Sequence, residues 1–248
     1  MDATLIDVAV VLFAPFVGSF IGLAVLRRGT GAPVALDRSR CPACGRTLGA
    51  VELVPLASWL VLRGRCRGCG ARIGLYYPAM ELAALGLAIW AVAVAPGWIG
   101  WLGAGLGWTL LALAAIDLRE TTLPDALTLP LIAVGLLVAA VAFGQPLDHV
   151  VGAVVGGAGF AALGWGWERA AGREALGLGD AKLFAAAGAW LGWQGLPSVL
   201  LIGALAGLAM ALARALLGRG GLRAPLPFGP ALAAGFWLTW VLGPIQFA

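Results

Sequence analysis

Gly177–Trp193 reads GLGDAKLFAAAGAWLGW, a glycine-rich turn that sets the carboxylate of Asp180 at the start of a run of small and apolar residues. From Asp180 to Trp193 is 13 residues, about 20 Å of helix at ~1.5 Å per residue. A hydrocarbon core of about 30 Å is not filled by that length. With Trp193 at one interface, Asp180 falls inside the opposite surface of the bilayer or in a wet notch cut into it. A charged group at that depth costs several kcal/mol, so it reads as functional by default. Asp117, 63 positions earlier, closes another long apolar run in a similar way.

Outward from this stretch the whole chain has the same character. Of 248 residues 61% are apolar and 11% charged, against a soluble norm of about 25% charged. Mean hydropathy is +0.96. Apolar runs of bilayer length recur, and we read eight spans, at residues 5–26, 77–95, 98–116, 126–143, 147–169, 181–194, 197–217 and 229–246. The expected fold is an all-α polytopic membrane protein with a loop, residues 27–76, between the first and second spans. The division is a first span at 1–26, that loop, and a helical bundle over 77–248. The first run lacks a basic start and a small-residue cleavage site, so it reads as a retained span. Small-xxx-small pairs such as Gly152/Gly156 and Gly203/Gly207 suit helices packed closely in lipid.

Charge sets the orientation. All 16 Lys and Arg lie within or beside residues 27–76, 117–125, 170–180 and 218–228. Near the other loops stand only Asp2, Asp148 and His149. The positive-inside rule therefore puts the long loop and both acids in the cytosol and both termini outside. Trp98, Trp101, Trp190 and Trp193 sit where an outer aromatic belt would be. The basic residues are thus accounted for by topology, and no nucleic-acid partner is implied.

Two carboxylates facing one another cannot both ionise cheaply. Sharing a proton, one serves as base to a water and the other as acid to a leaving nitrogen. Asp117 at a helix carboxyl end has no capping job, because an anion there is unfavourable. Asp180 alone has a plain alternative as a helix cap. Asp125, after Pro124 and before a helix, reads as an N-cap. Gly177 and Gly179 would let the chain turn and a substrate backbone approach. Lys182 is either a counter-charge or a topology anchor. The single histidine, His149, lies on the outer side as a solvated loop residue, so neither an HExxH zinc site nor an inner Ser/His pair can be built.

All four cysteines fall in the long loop, as Cys41-Pro-Ala-Cys44-Gly and Cys66-Arg-Gly-Cys69-Gly. Two CxxC pairs 21 residues apart have zinc-ribbon spacing. Four thiolates make a closed tetrahedral site, which is structural rather than catalytic. Disulfides or free thiols are the alternative, and a reducing cytosol argues against the former. Between the pairs, Val51–Leu62 (VELVPLASWLVL) is apolar but broken by Glu52 and Pro55, and reads as resting on the membrane surface.

With these motifs in order the chain resembles the type IV prepilin leader peptidases, a bacterial branch of the GxGD aspartic proteases. The likeness runs from Pro15-Phe-Val-Gly-Ser-Phe20 through the cysteine loop and YYPAMEL to AAIDLRETTLPDALTLP, GLGDAK and Pro227-Phe-Gly-Pro-Ala. The resemblance implies that Asp117 and Asp180 are the catalytic pair and that Cys41, Cys44, Cys66 and Cys69 hold zinc. It further implies cleavage of prepilin or pseudopilin leaders at the cytosolic face of the bacterial inner membrane. Methylation of the new amino terminus with S-adenosylmethionine goes with it in many members. The chain departs from the family pattern at Gly22, Glu52 and Tyr76. Two other classes are weighed against this one: a proton-coupled transporter and a non-catalytic zinc membrane scaffold.

Overall fold

The computed structural model describes residues 3–29, 38–144, 146–172, 177–218 and 226–245, and every element among them is helical apart from isolated bridges in the cysteine loop. Among these residues nine α-helices follow in order: α1 (Ala3–Arg27), α2 (Ala57–Val61), α3 (Tyr76–Val94), α4 (Trp98–Glu120), α5 (Asp125–Val138), α6 (Pro146–Ala171), α7 (Leu178–Leu191), α8 (Leu196–Leu216) and α9 (Gly229–Leu242). Six helical stretches are long and apolar enough to cross a membrane. They are α1, α3, α4, α6, α5 with part of the π-helical segment that continues it, and α8 with the short 3-10 turn before it. The helices at the sixth and eighth expected spans, α7 and α9, have only 14 residues each. Arg173, Arg219 and Arg223, used in the orientation argument, lie outside the described residues, as does Asp2.

The chain divides into two compact units, Met1–Trp108 and Thr109–Ala248. In the first, α1 lies along α3. Gly18 permits this, since a Cβ there would stand 2.5 Å from the Met80 carbonyl oxygen. A Cβ on Gly22 would stand 3.5–3.6 Å from Tyr76, Tyr77 and Met80, so two of the departures from the family pattern face each other. Asp7, a buried acid not singled out in the sequence, accepts the Trp101 indole N–H at 2.7 Å and the Gly97 amide at 3.0 Å. Trp101 is thus a hydrogen-bond donor to an internal carboxylate.

In the second unit α7 is the central helix, packed against α5, α6, α8 and α9. Ala181 and every residue from Leu183 to Trp190 are buried. A helix apolar all round belongs in an interior. Its alanines and glycines bring neighbours in closely: a Cβ on Gly188 would lie 2.1 Å from the Gly152 carbonyl oxygen, and one on Gly156 2.8 Å from that of Phe184. The Gly152/Gly156 spacing therefore marks a true close approach; Gly203 lies at another, since a Cβ on Gly235 would stand 2.9 Å from its nitrogen, while Gly207 has ordinary contact distances around it. Trp190 is buried and donates its indole N–H to Leu131 O at 2.8 Å, which corrects its expected interfacial place. Trp98 and Trp193 are each 49% exposed. His149 is helical, in α6, and its Nδ1 lies 3.0 Å from Ala189 O, so it is no solvated loop residue.

Candidate active site and metal centre

The two acids stand on helix ends of the second unit. Asp117 lies in the last turn of α4, which continues to Glu120, and is buried. Asp180 is the third residue of α7, after the N-cap Gly177, and is partly exposed. Two contacts join the turns that carry them. Leu123, from the α4–α5 turn, fills the space over Gly179, where a Cβ would come within 3.0 Å of its own. Lys182 of α7 forms an ion pair with Asp125 at the start of α5. The Asp180 carboxylate is hydrogen-bonded by the backbone of Gly177 and is close enough to Asp117 for the two charges to interact.

Two sequence expectations change here. Gly177 has φ −73° and ψ 149°, extended backbone open to any residue, so the turn needs no special freedom there. What Gly179 supplies is room for Leu123. Asp125 is not the N-cap of α5, a place held by Pro124; it is the first helical residue, and Lys182 is its partner. The counter-charge reading of Lys182 is met, but by Asp125.

Gly229 is the functional neighbour that sequence reasoning did not single out. Its amide, at the start of α9, donates to Asp117 Oδ2 at 3.0 Å. The amino end of a helix offers free N–H groups and a favourable field for an anion. One oxygen of Asp117 is held this way. Glycine is required by space: a Cβ at 229 would sit 2.7 Å from that oxygen. The signal lay in Phe228-Gly229-Pro230, a glycine just ahead of a helix-starting proline. Gly229→Ala should push the Asp117 carboxylate aside by a few tenths of an ångström. Since misplacement of about 1 Å can cost about 10²-fold, we expect activity down about tenfold or more with an intact fold. Initial rates set against the thermal unfolding curve of the same sample check this.

In the first unit Cys41, Cys44, Cys66 and Cys69 converge, their four sulfur atoms all within 4.8 Å of one another. The loop is built as two matching knuckles. Cys41 N–H donates to Arg46 O at 2.9 Å, and Cys66 N–H to Ala71 O at 2.8 Å. Gly45 and Gly70 close the turns at φ +71° and +72°, conformations that only glycine adopts freely. Cys41 and Cys69 Sγ lie 3.8 Å apart. That is about the edge of a tetrahedron with ~2.3 Å zinc–sulfur bonds. The amides of Cys69 and Gly68 point at Cys66 and lower its pKa to about 6, favouring the thiolate that metal binding needs. The four residues therefore fit a metal ion held by thiolates.

The N-terminal part of the chain, residues 12–95, matches the bacterial peptidase A24 N-terminal domain, and residues 104–212 match the type IV leader peptidase family. A prepilin leader peptidase/N-methyltransferase of Aeromonas hydrophila is 46% identical over 211 residues, covering 84% of this chain and 72% of the relative. The chain belongs to the type IV leader peptidase family. Proteins of the same description from Burkholderia pseudomallei (strain K96243) and Dichelobacter nodosus are 44% and 36% identical. These alignments cover 89% and 94% of this chain and 76% and 90% of the relatives. No solved structure matches. The leader peptidase match contains Asp117 and Asp180, whereas Gly229 lies beyond it; the N-terminal match contains the four cysteines.

Proposed function

We propose that this chain is a membrane-embedded aspartic endopeptidase that removes the leaders of type IV prepilins or pseudopilins and N-methylates the amino terminus so exposed. Family membership and the names of its relatives support the reading, and they do not favour a transporter or a scaffold. The observation that carries it is the placing of Asp117 and Asp180, two acids 63 residues apart, on neighbouring helix ends close enough for their charges to interact.

In this reading the pair holds one water. A carboxylate takes its proton as the oxygen attacks the scissile carbonyl, and the other carboxyl gives a proton to the leaving nitrogen as the C–N bond breaks. The Gly229 amide fixes one oxygen of Asp117 and leaves the other for the water. Gly177 and Gly179 belong to the active-site turn, and Lys182 anchors that turn through Asp125. Cys41, Cys44, Cys66 and Cys69 would hold zinc as a structural clip. S-adenosylmethionine is the methyl donor that the relatives' names suggest, and no residue is assigned to it. Family membership supports a bacterial inner-membrane protein, and the distribution of Arg and Lys supports placing the cysteine loop (27–76) and both acids on the cytosolic side. The first span (1–26) and the protease bundle (77–248) flank that loop, and both termini lie outside.

The test is mass spectrometry of a prepilin co-expressed with this protein. A shortened product carrying one added methyl group is expected. Intact precursor, in cells where the protein is present in the membrane, would overturn the proposal; a shortened but unmethylated product would overturn only its second half.

A further inference from the structure

The segment between the two cysteine knuckles is too short and too broken to cross a bilayer, yet its surface is apolar. It consists of a 3-10 turn, Ala50–Leu53, a bend at Pro55 and Leu56, and the five residues of α2. Val51 and Val61 are 78% and 80% exposed, and Leu53, Val54 and Leu60 are exposed beside them. Five large apolar side chains are thus exposed within eleven residues, and the one acid among them, Glu52, is paired with Arg46.

A buried carboxylate fixes where this patch sits. Glu81 of α3 is only 5% exposed and accepts the Leu56 amide at 2.8 Å. Leu56 itself has φ +60°, a backbone state that a non-glycine residue keeps only when its surroundings impose it. Glu81 stands five residues inside α3, about 7.5 Å from its start. That helix has 19 residues, about 28 Å in all, so it needs nearly its whole length to cross a core of about 30 Å. With α3 spanning the core end to end, the bend at Leu56 would lie at or just inside the edge of the hydrocarbon. Irregular backbone survives there only if its polar groups are satisfied within the protein. The Ser58, Leu60 and Leu62 amides bond Val54, Leu56 and Ser58 oxygens at 3.0 Å, and Glu81 takes the amide of Leu56. On leaving the segment the chain carries Arg63, Arg65, Arg67 and Arg72, all exposed, at the level where lipid phosphates would lie.

We propose that Val51–Val61 is a re-entrant wedge that inserts into one leaflet beside α3, with Glu81 as the residue that positions it and lipid as its occupant. The wedge would hold the cysteine knuckles against the headgroups instead of letting them hang free on a loop.

The test uses the full-length protein in nanodiscs of phosphatidylcholine and phosphatidylglycerol, with the photo-reactive residue p-benzoylphenylalanine in place of Val51 or Val61. After illumination, phospholipid adducts are expected from both positions. Cross-links to a second copy of the chain, or no lipid adduct from either position, would overturn the proposal. Glu81→Gln keeps an acceptor for the Leu56 amide and should preserve the adducts. Glu81→Ala should lower their yield about tenfold, since it leaves the Leu56 amide without its acceptor. An unchanged yield in Glu81→Ala would remove Glu81 from the role, and the Val51 and Val61 results stand whether or not that variant folds.

Discussion

Asp117→Asn and Asp180→Asn are each expected to lower leader cleavage on the order of 10²–10⁴-fold, the usual contribution of a positioned acid or base. The substitutions preserve shape. In Asp117→Asn the amide side chain would keep an oxygen for the Gly229 N–H, which now meets Asp117 Oδ2 at 3.0 Å, so α9 should stay docked. Fold and activity are thereby separated: thermal unfolding of purified protein should shift little while the rate collapses. The double variant should be no worse than either single one, because groups that act as one unit are not additive. Time courses on a purified prepilin would measure all three. Processing at the wild-type rate by both single variants would sink the dyad, and with it the assignment of chemistry to this pair of helix ends.

How much of this was legible in the sequence depends on what kind of signal each feature leaves. The apolar runs, the two CxxC pairs and the acids are marked by side-chain type, and α1, α3, α4, α5, α6 and α8 stand where hydropathy put them. Hydropathy cannot say whether an apolar helix faces lipid or protein, as both environments accept the same residues. Hence α7 read as a short span when its burial makes it the centre of the second unit. Trp190 failed for the same reason: an indole that seeks one polar partner is at home at an interface or against the Leu131 carbonyl. Pro227-Phe-Gly-Pro-Ala marks the place, but nothing in it says that its glycine amide meets Asp117, because a backbone amide has no side chain to show its partner. Only the missing side chain at Gly229 recorded it. The pair Lys182–Asp125 joins residues 57 apart on two helices, beyond any periodicity. The acids were thus readable, and what holds them was not.

The cysteine cluster should lose its metal when one ligand is removed. Structural zinc bound by four ligands is worth about 10–16 kcal/mol near neutral pH, so each thiolate contributes a few kcal/mol. Cys66→Ser is then expected to weaken binding on the order of 10²-fold or more. Metal analysis of purified protein should fall from one ion per chain to a small fraction. Cys41→Ser should act alike, because the two knuckles are built on the same pattern of bonds and face one another with Cys41 and Cys69 Sγ 3.8 Å apart. The pH dependence has a definite sign. The Cys69 and Gly68 amides hold the Cys66 thiol down at about 6. The neighbouring thiols push Cys69 up to about 11 instead, so the cluster holds protons that the ion must displace, and loss to a chelator should quicken as the medium is acidified. Thiol titration separates the alternatives. Metal-bound protein should show four cysteines reactive only after chelation. Four freely titratable thiols with no metal would remove the zinc site, and cysteines that titrate only after reduction would replace it with disulfides.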